Sequence, residues 1–86
     1  GEDFEKVKAV IERLLNEDER ILKNPAPFIA LGALSASSVD IKVRAWASTA
    51  NYWDVYFDFN KKVYDTFNKE GIGFPFPQLT VHQAND

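Results

Sequence analysis

A nucleophilic triad needs a Ser, Thr or Cys beside a base, and this 86-residue chain offers one histidine, His82, and no cysteine. His82 stands close to the C-terminus with no Asp or Glu at an orienting spacing, and it reads as a solvent-facing tail residue. Gly71 and Gly73 follow a helical pattern, whereas a phosphate-cradling glycine loop precedes a helix. They read as punctuation. The acidic run Glu17-Asp18-Glu19 lacks the spacing and the glycine of a calcium loop, and it reads as a solvated turn. Paired-carboxylate glycoside chemistry needs a cleft that a chain this short can hardly build. The residues therefore assign no catalytic, cofactor-binding or metal-ligating role, and the chain is read as a non-enzyme.

The elements that would position any other function come from periodicity. Phe4, Val7, Ile11 and Leu14 recur at helical spacing over residues 4–15, with Glu5, Lys8, Glu12 and Arg13 elsewhere around the axis. Asp3 is the expected N-cap. Asn24-Pro25-Ala26-Pro27 ends any helix, because each proline pushes its predecessor out of the α region. Residues 28–34 form an apolar run suited to a strand, and the small polar stretch Ser35-Ala36-Ser37-Ser38 suits a hairpin connection. From Val39 to Ala47 the pattern alternates. Val39, Ile41, Val43, Ala45 and Ala47 take one face, and Asp40, Lys42, Arg44 and Trp46 the other. Trp46 is out of place on a wet face.

Thr49 or Asn51 is expected to cap a second helix that runs to about Lys69, with Gly71 as its left-handed terminator. At 100° per residue, Tyr52, Val55, Tyr56, Phe59, Val63 and Phe67 form a core stripe. Trp53, Phe57 and Tyr64 make a shoulder beside it, so the apolar arc reaches roughly 200°, against ~100° or somewhat more for one packed face. Such a shoulder is either further core or a subunit contact, since interface cores are rich in aromatic side chains. Pro75 and Pro77 then force an extended backbone without two amide donors. Leu79-Thr80-Val81-His82-Gln83 is a short strand with no expected partner inside its own chain.

The fold class is α+β. The expected architecture is a two-layer sandwich, a ferredoxin-like half (α-β-β-α plus a short terminal strand), with both helices on one face of an antiparallel sheet. Residues 1–78 are read as a partial α/β domain and 79–86 as a terminal strand and tail. A split β-α-β sandwich opens with a strand, and here a helix begins almost at residue 1, which reads as a piece of something longer. The net charge of −3 has both signs interspersed, which gives neither a nucleic-acid stripe nor a polybasic membrane anchor. Hydrophobic residues make up 45%, enough for a core, and no run approaches the ~20 residues of a membrane span.

Three blocks, taken together, resemble the C-terminal cytoplasmic part of the small-conductance mechanosensitive channel family. They are Arg20-Ile21-Leu22-Lys23 leading into a proline-bearing strand start, Ser37 to Trp46 ending in Arg-x-Trp, and Phe67 to Gln78. The third, with Gly71-Ile72 and Pro75-Phe76-Pro77-Gln78, is the most specific. The resemblance implies a homoheptameric inner-membrane channel that opens under tension in osmotic downshock and passes ions and small solutes. Seven copies would form a hollow cytoplasmic cage, attached to the membrane through segments upstream of this chain. It implies no cofactor and no nucleic acid, and it places 79–86 in a small parallel barrel closing the cage. Trp46, Trp53, Phe57, Tyr64, Leu79 and Val81 are then the candidate subunit contacts, with Gly71, Pro75, Pro77 and Gln78 as structural motif. The competing reading is a small ligand-sensing regulatory domain, which would need a polar pocket with glycines in its strand–helix loops.

Overall fold

The computed structural model describes residues 4–35 and 38–84, and the side chains of these except 33–39. The expected caps and connections at Asp3 and 36–37, like the side chain of Val39, lie outside the described residues. Helix α1 (Phe4–Glu17) is followed by strands β1 (Phe28–Ser35) and β2 (Ser38–Ser48), helix α2 (Tyr52–Glu70) and strand β3 (Gln78–Ala84). The sheet order is β1-β2-β3.

Strand β2 is central because its alternation leaves one apolar face to cover. Ile41, Val43, Ala45 and Ala47 are buried, while Lys42 and Arg44 are exposed on the other face. The expected register therefore holds. Both helices lie on the apolar face: α1 contributes Val7, Val10, Ile11, Leu14 and Leu15 to the core cluster, and α2 contributes Val55, Phe59, Val63 and Phe67. Tyr52 and Tyr56, read as core stripe, are only partly buried against it. Their hydroxyl-bearing ends suit the margin of a packed face.

Two corrections concern the chain after β2. The entry to α2 carries no side-chain cap at Asn51; a single 3-10 turn, Thr49–Asn51, leads directly into the helix instead. The terminal strand does find a partner in its own chain. β3 pairs in parallel with β2, from Lys42 opposite Gln78 to Ser48 opposite Ala84, so the sheet is mixed rather than wholly antiparallel. The physical reason is an unfilled edge. β1 and β2 pair antiparallel from Phe28 opposite Arg44 onward, which leaves the opposite edge of β2 with bare amides and carbonyls. α2 is long enough to carry the chain back to that edge, as crossovers between parallel strands do. Leu79 and Val81 then fall opposite Val43 and Ala45 and are buried in the core of this chain.

The connections are fixed by specific bonds. Ile21 bridges Ala47, and the Leu22 amide donates to the Trp46 carbonyl at 2.8 Å. Gly71 ends α2 with φ of 67°, as its position after Lys69-Glu70 predicts, and the Ile72 amide donates to the Phe67 carbonyl at 2.9 Å. A Cβ at Gly71 would meet nothing within 4 Å. Gly71→Ala should therefore cost only the left-handed backbone penalty, about 1–2 kcal/mol. Urea unfolding measures it, and an unchanged midpoint would remove Gly71 from the stop signal.

Candidate interaction surface

The surface is built on α2. Its core stripe faces the sheet, and the positions one step around the axis point outward. Trp53 is 61% exposed, Phe57 61% and Tyr64 56%, with Phe76 of the tail beside them at 50%. The shoulder is therefore not core of this chain. The rings are organised. Trp53 and Phe57, one turn apart, stack at 5.9 Å between centroids with 21° between planes. Tyr52 meets Trp53 edge-on at 4.9 Å, and Tyr56 meets Phe57 edge-on at 5.4 Å. Phe76 lies 5.3 Å from Tyr64 and 5.6 Å from Phe67, which continues the ridge toward the C-terminal end of α2.

The prolines give Phe76 its place. Pro75 is exposed and Pro77 is buried, so the stiff extended segment lays Ile72 and Phe74 against the core and holds Phe76 on the helix surface. Phe74 also meets Phe4, at 6.4 Å. Gln78 opens β3 opposite Lys42.

Trp46 sits on the sheet face away from the helices, half-buried, stacked on His82 at 4.8 Å with 21° between planes. The register explains the pair, since Trp46 lies directly opposite His82. His82 is thus a sheet residue, not the free tail residue its position near the end suggests. Its Nε2 is buried and has no hydrogen-bond partner among the described residues. Of the six candidate contact residues, Trp53, Phe57 and Tyr64 come together on α2. Trp46 lies on the opposite side of the molecule. Leu79 and Val81 belong to the intrachain core.

One organising cluster was hidden in a charge run. The Arg20 guanidinium donates from Nε and Nη2 to the two Asp18 carboxylate oxygens at 3.0 and 2.9 Å, and from Nη1 to Asp58 at 3.0 Å. The Arg20 amide also donates to Asp18, at 3.0 Å. This ties the connection after α1 to the flank of α2. Hydrogen bonding from Arg20 holds the Asp18 carboxyl below its ordinary value. A depressed carboxylate contributes stability above its unfolded value near 3.8 and loses it as pH falls through the lower folded value. The wild type should thus exceed Asp18→Asn by on the order of 1 kcal/mol near neutrality, after solvent screening. The gap should begin to shrink below about pH 4 and close only once pH is under the lower folded value. A gap that persists in acid would show that charge is not its source.

Concavities are modest. A groove of about 470 Å³ between α1 and β1 is lined by residues that include Lys8, Glu12, Leu15, Pro27 and Phe28. No glycine is among the residues that line it. No group of three or more His, Asp or Glu among the described residues could hold a metal ion. No described helix is long and apolar enough to cross a membrane.

The α2 ridge leaves aromatic rings exposed on a two-layer α+β body, and the sequence comparisons give the family of the chain. Residues 1–74 match the family described as mechanosensitive ion channel MscS, C-terminal. The chain belongs to the MscS family. It is 38% identical to the small-conductance mechanosensitive channel of Edwardsiella ictaluri, over 93% of this chain and 28% of the relative. A protein of Archaeoglobus fulgidus described as an uncharacterized MscS family protein is 38% identical over 100% of this chain and 30% of its own length. Another, from Synechocystis, is 32% identical over 94% and 27%. The chain thus spans under a third of the length of these curated relatives.

Proposed function

We propose that this chain is the cage module of a tension-gated, small-conductance mechanosensitive channel. Its task is assembly and the forming of a vestibule, not catalysis. The observation that carries the reading is the exposed α2 ridge of Trp53, Phe57, Tyr64 and Phe76 in a chain of the MscS family. Single exposed apolar residues are ordinary, whereas clusters of exposed rings, Trp53 on Phe57 and Tyr64 beside Phe76, mark an interaction site. The partner is a second copy of the same subunit, in a closed homo-oligomer that the family resemblance makes a heptamer. Membrane attachment, on the cytoplasmic side of the cell membrane, belongs to segments outside this chain. Ions and small solutes are the permeants that the vestibule would pass.

The test separates assembly from folding. Trp53→Ser with Phe57→Ser, in the full-length protein that contains this chain, should shift native mass spectra from one closed oligomer toward smaller species. In the 86-residue chain the same pair should leave the urea midpoint nearly unchanged, because these side chains are exposed. Intact oligomers together with an unfolding chain would make the ridge part of the fold and overturn the reading.

A further inference from the structure

The ridge has a second uncovered surface opposite to it. On the sheet face away from both helices, β2 presents Lys42, Arg44 and Trp46, flanked by Phe28 and Ala30 of β1 and by Gln78, Thr80 and His82 of β3. No described element covers this face; Lys42, Arg44 and Thr80 are exposed, and Phe28 is half-exposed. The face is locally basic although the chain is acidic overall. Residues 41–48 hold two cations and no acid, and residues 78–84 hold no acid. Neither Lys42 nor Arg44 makes an ion pair among the described residues, while Arg13, Arg20, Lys61 and Lys62 all do. The one carboxylate on this face, Asp40, is buried at its far end opposite Gly32.

The α2 ridge has the complementary character. Residues 52–60 hold Asp54 and Asp58 and no Lys or Arg, and Lys61, one turn beyond Phe57, is taken up by Asp65, so the Trp53 end of the ridge has acidic neighbours. Arg20 already engages Asp58, and Asp54 makes no ion pair among the described residues.

We infer that the α2 ridge of one copy docks on the open sheet face of the next, with Trp53 and Phe57 over the Trp46 side and the acidic flank toward Lys42 and Arg44. The inference rests on the assembly reading above and names the surface that receives the ridge. The two patches cannot meet within one chain, because α2 packs its opposite stripe on the opposite side of the sheet. A ridge-to-ridge contact would set Asp54 and Asp58 against the same acids of the partner. Contact between unlike patches is heterologous, so each copy both gives a ridge and receives one, which closes a ring when the rotation allows. The cations then serve orientation and partner choice more than affinity.

The test uses the full-length protein in a background free of other cysteines, since this chain has none. Lys42→Cys, Asp54→Cys and the double variant change exposed positions only and leave Trp53 and Phe57 in place. Light scattering first gives the oligomer mass, and a short bis-maleimide then joins neighbouring thiols. The double variant should give a ladder of covalent oligomers on denaturing gels, and each single variant should stay monomeric. Dimers from Asp54→Cys alone would reveal a ridge-to-ridge contact and overturn the inference. An oligomer that does not cross-link in the double variant would overturn it while leaving the assembly reading standing. A monomer by light scattering would overturn both.

Discussion

Phe59→Ala should destabilise this chain by about 3–5 kcal/mol, the range for removing a buried aromatic side chain. Phe59 is 1% exposed, in the middle of the stripe Val55-Phe59-Val63-Phe67 with which α2 covers the sheet. Its loss removes transfer free energy and leaves a cavity that the flat sheet beneath cannot collapse to fill. At ~0.05–0.15 kcal/mol per residue, 86 residues carry roughly 4–13 kcal/mol in all. The variant should then lie near or below the folding threshold. Urea unfolding followed by circular dichroism provides the number, and a loss under ~1 kcal/mol would mean that α2 does not seat on the sheet by this stripe.

Removing residues 78–86 should cost nearly as much. β3 buries Leu79 and Val81 and occupies an edge of β2 over seven paired positions. Burial of two aliphatic side chains is worth about 3–6 kcal/mol by area, an upper figure because the unfolded chain hides part of that surface. The truncated chain would also expose the β2 edge, so aggregation should accompany the lower urea midpoint. In the intact monomer, amides of Val81 and Gln83 should exchange slowly, at rates set by global unfolding. An unchanged midpoint after truncation, or free exchange at these amides, would return the tail to the status of a strand waiting for another subunit.

The contrast between α2 and β3 shows what the residue pattern can carry. On α2 the wheel alone separated stripe from shoulder, because the apolar arc exceeds what one packed face can use, and Trp53, Phe57 and Tyr64 are indeed outside the core. On β2 a period of two fixed which residues face the helices. For β3 the alternation of Leu79 and Val81 tells which way the side chains point but not which edge receives the backbone. Edge pairing is a long-range property that a short strand does not encode. The same gap hid the Trp46–His82 stack. Trp46 was legible as misplaced, but its partner depends on the β2–β3 register, 36 positions away in sequence at 46 and 82. Asp18 and Arg20 read as a solvated charge run for the same reason. Their third member, Asp58, stands on α2, and only the tertiary fold brings it within 3.0 Å of Arg20.

The central proposal is that this chain of the MscS family, with its uncovered aromatic ridge, helps build a channel that opens under tension. The most direct measurement is current through patches of lipid bilayer reconstituted with the full-length protein that contains this chain, recorded while suction is raised. The account predicts discrete openings whose probability climbs with tension, and their loss when Trp53→Ser and Phe57→Ser break the assembly. A protein that reconstitutes as an intact oligomer yet gives no tension-dependent current would contradict it.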